Sequence, residues 1–150
     1  MDLPRLIVTD TLRRNHLRKV EAYYETLDNT IYLDDHKFFR LTPDIQIFTL
    51  VHELGHWLRV NHIDLKDIVG WDPGHRFLIF GAPNSEEGFA DSFATYLLDP
   101  GELRARYPRQ YAAMQGYVAG HRTRLDAWID DQCRQLGLTG NERLTSRASK

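Results

Sequence analysis

The stretch Thr42-Pro43-Asp44-Ile45-Gln46-Ile47-Phe48-Thr49-Leu50-Val51-His52-Glu53-Leu54-Gly55-His56-Trp57-Leu58 decides how the chain is read. Thr42 offers a hydroxyl for the N-cap, Pro43 fits the first helical position and Asp44 puts a carboxylate in the first turn, so a helix is predicted from Pro43 to about Val60. Ile47, Leu50, Val51, Leu54, Trp57 and Leu58 give it a broad apolar face, with His52 and His56 on a different stripe at the edge of that face. Residues four apart on a helix lie about 40° apart around it and roughly 6 Å apart along it, so both imidazoles can grip one metal ion. Glu53 is rotated off that line. Its carboxylate then reaches a metal-bound water instead of the metal, which is where a general base for hydrolysis belongs.

Ser85-Glu86-Glu87 opens a second predicted helix that reaches about Leu98, with Phe89, Ala90, Phe93, Ala94, Leu97 and Leu98 at core spacing and Pro100-Gly101 as its end. A catalytic zinc ion takes three protein ligands and leaves one position for water, so a third His, Glu or Asp is required. Glu87 is the first choice, because Asp91 lies one turn later on the same face and can fix a ligand histidine's tautomer by accepting from its other nitrogen. Glu86 is second: it lies about 100° round the helix, and its partner four residues on would be Ala90. His62 stands ten residues after His52, but Arg59 occupies the place where a glycine would turn the chain sharply. A helix continuing to His62 carries it about 9 Å beyond His56. His75, in Gly74-His75-Arg76-Phe77, is reachable through a long loop and reads better as a group facing substrate or oxyanion. Surface histidines and acids near a helix N-terminus would give the same letters without a metal. A carboxylate between the histidines, together with a second helix of matching form, favours the site.

Elsewhere, Leu6-Ile7-Val8-Thr9 reads as a short strand, and Ala22-Tyr23-Tyr24-Glu25 with Thr30-Ile31-Tyr32-Leu33 as a hairpin around Asp28-Asn29. Residues 10–21 are charged and fit loop, helix or strand. Residues 61–84 hold Gly70, Pro73, Gly74, Gly81 and Pro83 and read as a long irregular connection, with a short strand at Phe77-Leu78-Ile79-Phe80. Helices follow to about Leu136, broken at Tyr107-Pro108, and the polar tail from Thr139 is expected to fray. The expected fold class is α+β. With 150 residues and 42% hydrophobic content, one domain over residues 1–138 and a tail over 139–150 are expected.

The formal net charge is −2, with no lysine-rich run or arginine-rich tail, so neither nucleic acid nor an acidic membrane is an expected partner. Residues 1–100 hold 10 Lys+Arg against 16 Asp+Glu, and residues 101–150 hold 9 against 5. Asp126, Asp130 and Asp131 are interspersed in that basic segment, which reads as solvated helix surface and not as a nucleic-acid patch. Cys133 is the only cysteine, which excludes an intrachain disulfide and an all-cysteine zinc site. The start, Met1 to Thr9, has too short an apolar run for a signal peptide, and no stretch nears the ~20 apolar residues of a membrane span. A cytoplasmic location is expected; a delivered effector or a virion component would lack the same signals.

Over about residues 22–111 the chain resembles the zincin-fold metallopeptidases whose third ligand is a glutamate on a second helix. Thr30 to Leu33 and Phe48 to Leu58 look like the strand and active-site helix of the ImmA/IrrE family. Glu87 to Pro100 is similar both to that family's second helix and to the corresponding helix of the anthrax lethal-factor-like peptidases, towards which Leu103 and Tyr107-Pro108-Arg109-Gln110-Tyr111 lean. The resemblance implies a zincin-like domain with a small N-terminal mixed sheet, an active-site helix and C-terminal helices. It implies one zinc per chain on His52, His56 and Glu87, with Glu53 as base and Asp91 behind a ligand histidine. It also implies a protein or peptide substrate bound as an extended strand along the sheet edge. Residues after Leu136 fall outside the resemblance, and the helix-turn-helix repressor beside which an ImmA/IrrE protein usually acts has no counterpart here. Such families supply a Tyr or His to the oxyanion, for which His75, Tyr96, Tyr111, Tyr117 and His121 are the candidates. The expected activity is zinc-dependent endopeptidase cleavage of a specific protein by metal-activated water. The rival is an inactive zincin-fold module for binding, regulation or assembly, marked by a fourth protein ligand such as His62 or His75 closing the metal.

Overall fold

A computed structural model describes residues 2–10, 20–68 and 85–138. The predicted strand at Phe77–Phe80, His75, most of the ambiguous 10–21 segment and the polar tail from Thr139 lie outside the described residues. The architecture is α+β: three strands, β1 (Arg5–Thr9), β2 (Ala22–Glu25) and β3 (Thr30–Asp34), form one mixed sheet in the order β1-β3-β2. β3 runs parallel to β1, with Leu6 opposite Ile31, and antiparallel to β2, with Tyr24 opposite Ile31. Asn29 takes a φ of 51° in the turn between β2 and β3, a conformation its short amide tolerates. Asp34 ends β3 and turns the chain: its Oδ1 accepts from the His36 and Lys37 amides at 2.9 and 2.7 Å, opening the short helix α1 (Lys37–Arg40).

The decisive helix, α2, runs Pro43–His62, two residues past the expected end. Thr42 is its N-cap, yet the Thr42 side chain makes no capping bond. The amide that Pro43 lacks is that of the first helical position, not the second or third that a cap hydroxyl serves, and Gln46 donates its side chain to the Leu41 carbonyl at 2.9 Å. The helix is not the one-faced amphipath its spacing suggests. Every residue from Gln46 to Gly55 is buried, because β2 packs on one side and the following long helix on another.

A single 3-10 turn (Leu65–Ile68) follows, then α3 (Ser85–Leu98), α4 (Pro100–Arg106), α5 (Pro108–Ala119) and α6 (Arg122–Gln135). α3 has the expected span, but Pro100-Gly101 does more than end it. Asp99 leaves helical geometry and its carbonyl accepts from Glu102 at 3.1 Å, so Pro100 becomes the first residue of α4. Two indoles hold the N-terminal segment to the helices: Trp57 Nε1 donates to the Asp2 carbonyl and Trp128 Nε1 to the Pro4 carbonyl, each at 2.9 Å. The core gathers Ile31 and Leu33 from the sheet, Leu50 and Leu54 from α2, Phe93 from α3 and Ile129 from α6. No helix among the described residues is long and apolar enough to cross a membrane.

α2 and α3 pack closely at Gly55. A Cβ there would stand 3.0 Å from Phe93 Cδ1 and 3.1 Å from the Ala90 Cα, a backbone atom. Gly55→Ala would gain roughly 1 kcal/mol of helix propensity and lose about 1–3 kcal/mol to overpacking. We expect a net loss of up to about 2 kcal/mol in urea unfolding; a more stable variant would show that the two helices have slack.

Candidate metal centre

The close crossing at Gly55 brings one face of α2 against one face of α3, and the polar residues on those faces meet. His52 Nε2 and His56 Nε2 lie 3.2 Å apart. The Glu87 carboxylate straddles them, with Oε2 at 3.0 Å from His52 Nε2 and Oε1 at 3.1 Å from His56 Nε2. Ligand atoms on a tetrahedral ion with bonds of about 2.0–2.2 Å stand roughly 3.3–3.5 Å apart, so these separations need only a small adjustment around a metal.

Proton bookkeeping points the same way. Asp91 Oδ1 lies 2.7 Å from His52 Nδ1, and a carboxylate can only accept, so Nδ1 carries the hydrogen. In the neutral imidazole the Nε2 lone pair then faces another imidazole nitrogen and a carboxylate. Three electron-rich groups converging need a cation between them, either a proton or a metal ion. Burial alone pulls the His52 imidazolium down, but hydrogen bonds to Asp91 and Glu87 and the charge of Glu53 outweigh it, and its pKa rises to about 9. Burial pushes Glu87 up, yet the two histidines outweigh it and hold its carboxyl at about 2. His52, His56 and Glu87 can hold a metal ion.

The site is closed behind and open in front. The His52 and Asp91 side chains are each 1% exposed, whereas those of His56 and Glu87 are 19% and 23% exposed. The open side faces a cleft of about 290 Å³ lined by Ala22, Tyr23, Tyr24, Glu53, His56, Val60 and Glu87 among others. Glu53 is buried, and its Oε2 accepts from the Tyr24 backbone N–H at 2.9 Å. That bond fits the strand's parity. The Glu21 carbonyl accepts from Asp34, so alternate residues Tyr23 and Glu25 turn their main chain to β3 while Ala22 and Tyr24 turn theirs outward. Among the described residues β2 is an edge strand, with its outward groups beside the cleft.

The other candidates lie elsewhere. Glu86 pairs with Arg59 at 2.7 Å instead of meeting the histidines. His62 packs edge-on against Trp57, and its ring centroid is 4.4 Å from that of His121. Arg124 Nη2 donates to His121 Nδ1 at 2.8 Å and lies 3.4 Å from His62 Nε2. Burial first, then nearby cationic groups, hold both of these histidines below the usual value. Tyr96 packs on Tyr111 and lies under Arg122, and Tyr117 packs on Phe89. None of Tyr96, Tyr111, Tyr117 or His121 lines the cleft, and His75 is outside the described residues. Sequence reasoning missed Tyr23, which does line it. The Tyr23 hydroxyl donates to Glu25 Oε2 at 2.8 Å, and that bond, then burial and nearby carboxylates, push its pKa up to about 12. Comparison with known proteins finds no matching family model, no matching curated protein and no matching solved structure.

In protein stripped of metal, the raised His52 value supports stability fully below about 6.5, and that support is lost as pH rises towards 9. The lowered Glu87 value supports stability above about 4.5, lost as pH falls towards 2. For these two groups the metal-free chain is most stable between about 4.5 and 6.5. Asp91→Asn should flatten the alkaline limb, measured by urea unfolding at pH 6 and pH 9 in chelator. A limb as steep in the variant as in the wild type would remove Asp91 as its source.

Proposed function

We propose that the chain is a zincin-like, zinc-dependent endopeptidase that hydrolyses a peptide bond in a protein or peptide bound as an extended strand. The observation that carries the reading is the donor set itself: two imidazole Nε2 atoms and a carboxylate converge, with a further carboxylate, Glu53, at the open side. Two nitrogens and one oxygen suit zinc, and an open position is what separates a catalytic zinc site from a structural one. Of the two histidines that would close the metal as a fourth ligand, His62 packs against Trp57 and His121 instead of joining the group, and His75 lies outside the described residues.

When bound, the ion supplies Lewis acidity, lowering the pKa of a water and polarising a carbonyl. This chain's residues do the rest. His52, His56 and Glu87 would hold the ion, and Asp91 keeps the His52 ring in the tautomer that presents Nε2. Glu53, one oxygen fixed by the Tyr24 amide, takes the proton from the attacking water and returns it to the leaving amine. A substrate strand pairs with the outward main chain of β2, using Ala22 and the Tyr24 carbonyl, since the Tyr24 amide is committed to Glu53.

The first experiment is elemental mass spectrometry of dialysed protein. We expect one zinc per chain, lost in His52→Ala and Glu87→Ala and kept in His62→Ala; no zinc in the wild type after reconstitution would sink the reading. Glu53→Gln should keep the metal while lowering turnover of a cleaved substrate by on the order of 10²–10⁴. For strand pairing, Ala22→Pro removes an outward amide, leaving the bonds to β3 in place. It should raise KM without changing zinc content, and an unchanged KM would place the substrate elsewhere.

A further inference from the structure

Glu86 and Glu87 are neighbours with the same chemistry, about 100° apart around α3, yet they end at different partners. Glu87 meets both imidazoles, whereas Glu86 Oε1 lies 2.7 Å from Arg59 Nη2. Arg59 stands three residues beyond His56 on α2, and its side chain is only 14% exposed. Its Nη1 donates to the Ile63 carbonyl at 3.4 Å, just past the helix end, so the guanidinium is held at both sides. α3 begins at Ser85, which puts Glu86 and Glu87 in its first turn. Main-chain amides of a first turn have no partner within the helix, so that turn is the part least held by its own hydrogen bonds. Its orientation rests on tertiary contacts, and the Arg59–Glu86 pair ties it to the helix that carries both histidines.

We propose that Arg59 is a positioning residue of the metal centre: by engaging Glu86 it fixes the rotation of the first turn of α3 and so assigns Glu87 to the metal. The inference rests on the metal-centre reading, not on peptidase activity. A slip of one residue would present Glu86 to the imidazoles and take Asp91 away from His52 Nδ1, and the Arg59 pair opposes that slip. The competing view, that Arg59 is only a nearby cation, makes the opposite forecast. A guanidinium repels a divalent ion, so its removal would then tighten metal binding.

The test is zinc affinity by chelator competition for the wild type, Arg59→Ala, Glu86→Gln and the double variant, with the visible absorption of the cobalt-loaded proteins and circular dichroism of the metal-free ones. We expect each single variant to bind zinc about 10-fold more weakly, in the range seen when groups that orient ligands are lost. The double variant should be no weaker than either single one, Arg59→Lys should recover part of the loss, and the cobalt bands should change in both singles. Arg59→Ala binding zinc as tightly as the wild type or more tightly, or effects that add in the double variant, would overturn the assignment while leaving the metal centre intact. No zinc binding by the wild type would overturn both. If Arg59→Ala does not fold, Glu86→Gln decides, since the Glu86 side chain is 47% exposed and removable without opening the core.

Discussion

The backbones of α2 and α3 cross so closely at Gly55 that a methyl group there would press on the Ala90 backbone and the Phe93 ring. The site depends on that distance. Gly55 falls between His52 and His56, and Ala90 and Phe93 lie on either side of Asp91 in the chain, so this close packing lies beside the converging polar groups. Carboxylate side chains are short, and a wider crossing would leave Asp91 and Glu87 unable to reach imidazoles on the opposite helix. A glycine in a helix interior costs roughly 1 kcal/mol relative to alanine. Here it is offset by packing that only a residue without a Cβ permits.

Close packing has an electrostatic consequence. It places Asp91 and Glu53 beside the buried His52 ring and leaves Glu87 and His56 at the open edge, and burial opposes the charged forms of His52 and Glu87. The arrangement stands because the groups compensate one another: the carboxylates raise His52 to about 9 and the histidines lower Glu87 to about 2. A cavity that stabilises an imidazolium this strongly also stabilises another cation in the same place. The donors that converge on that proton in the metal-free chain are the same three groups that can hold a metal ion.

Much of this was legible in the sequence, for reasons that mark where legibility stops. Thr42-Pro43 announces a helix start, the apolar spacing of α3 sets its length, and the four-residue intervals His52 to His56 and Glu87 to Asp91 each describe a single helix face. These are local properties. The preference for Glu87 over Glu86 was also local, because only Glu87 has an acid one turn on. What stayed hidden lies between residues distant in the chain. The Tyr24 amide meets Glu53 across 29 positions, Arg59 meets Glu86 across 27, and Arg124 approaches His62 across 62. Tyr96, Tyr111, Tyr117 and His121 were proposed by residue type, and type says nothing of direction; their rings pack on other rings and arginines away from the cleft. Pro100 misled for a related reason: the same fixed φ that stops one helix starts the next.

The Tyr24–Glu53 bond joins the two halves of the molecule at the site. Glu53 belongs to α2, whose position is set by the crossing with α3, and Tyr24 belongs to β2, whose position is set by pairing with β3. The carboxylate is thus held from two directions, and its aim depends on the spacing between sheet and helix as well as on its own rotamer. The same strand turns the Ala22 main chain outward beside the cleft, only two residues from the amide that holds Glu53. The outward edge of β2 and the carboxylate beside it therefore share one support, the pairing of β2 with β3.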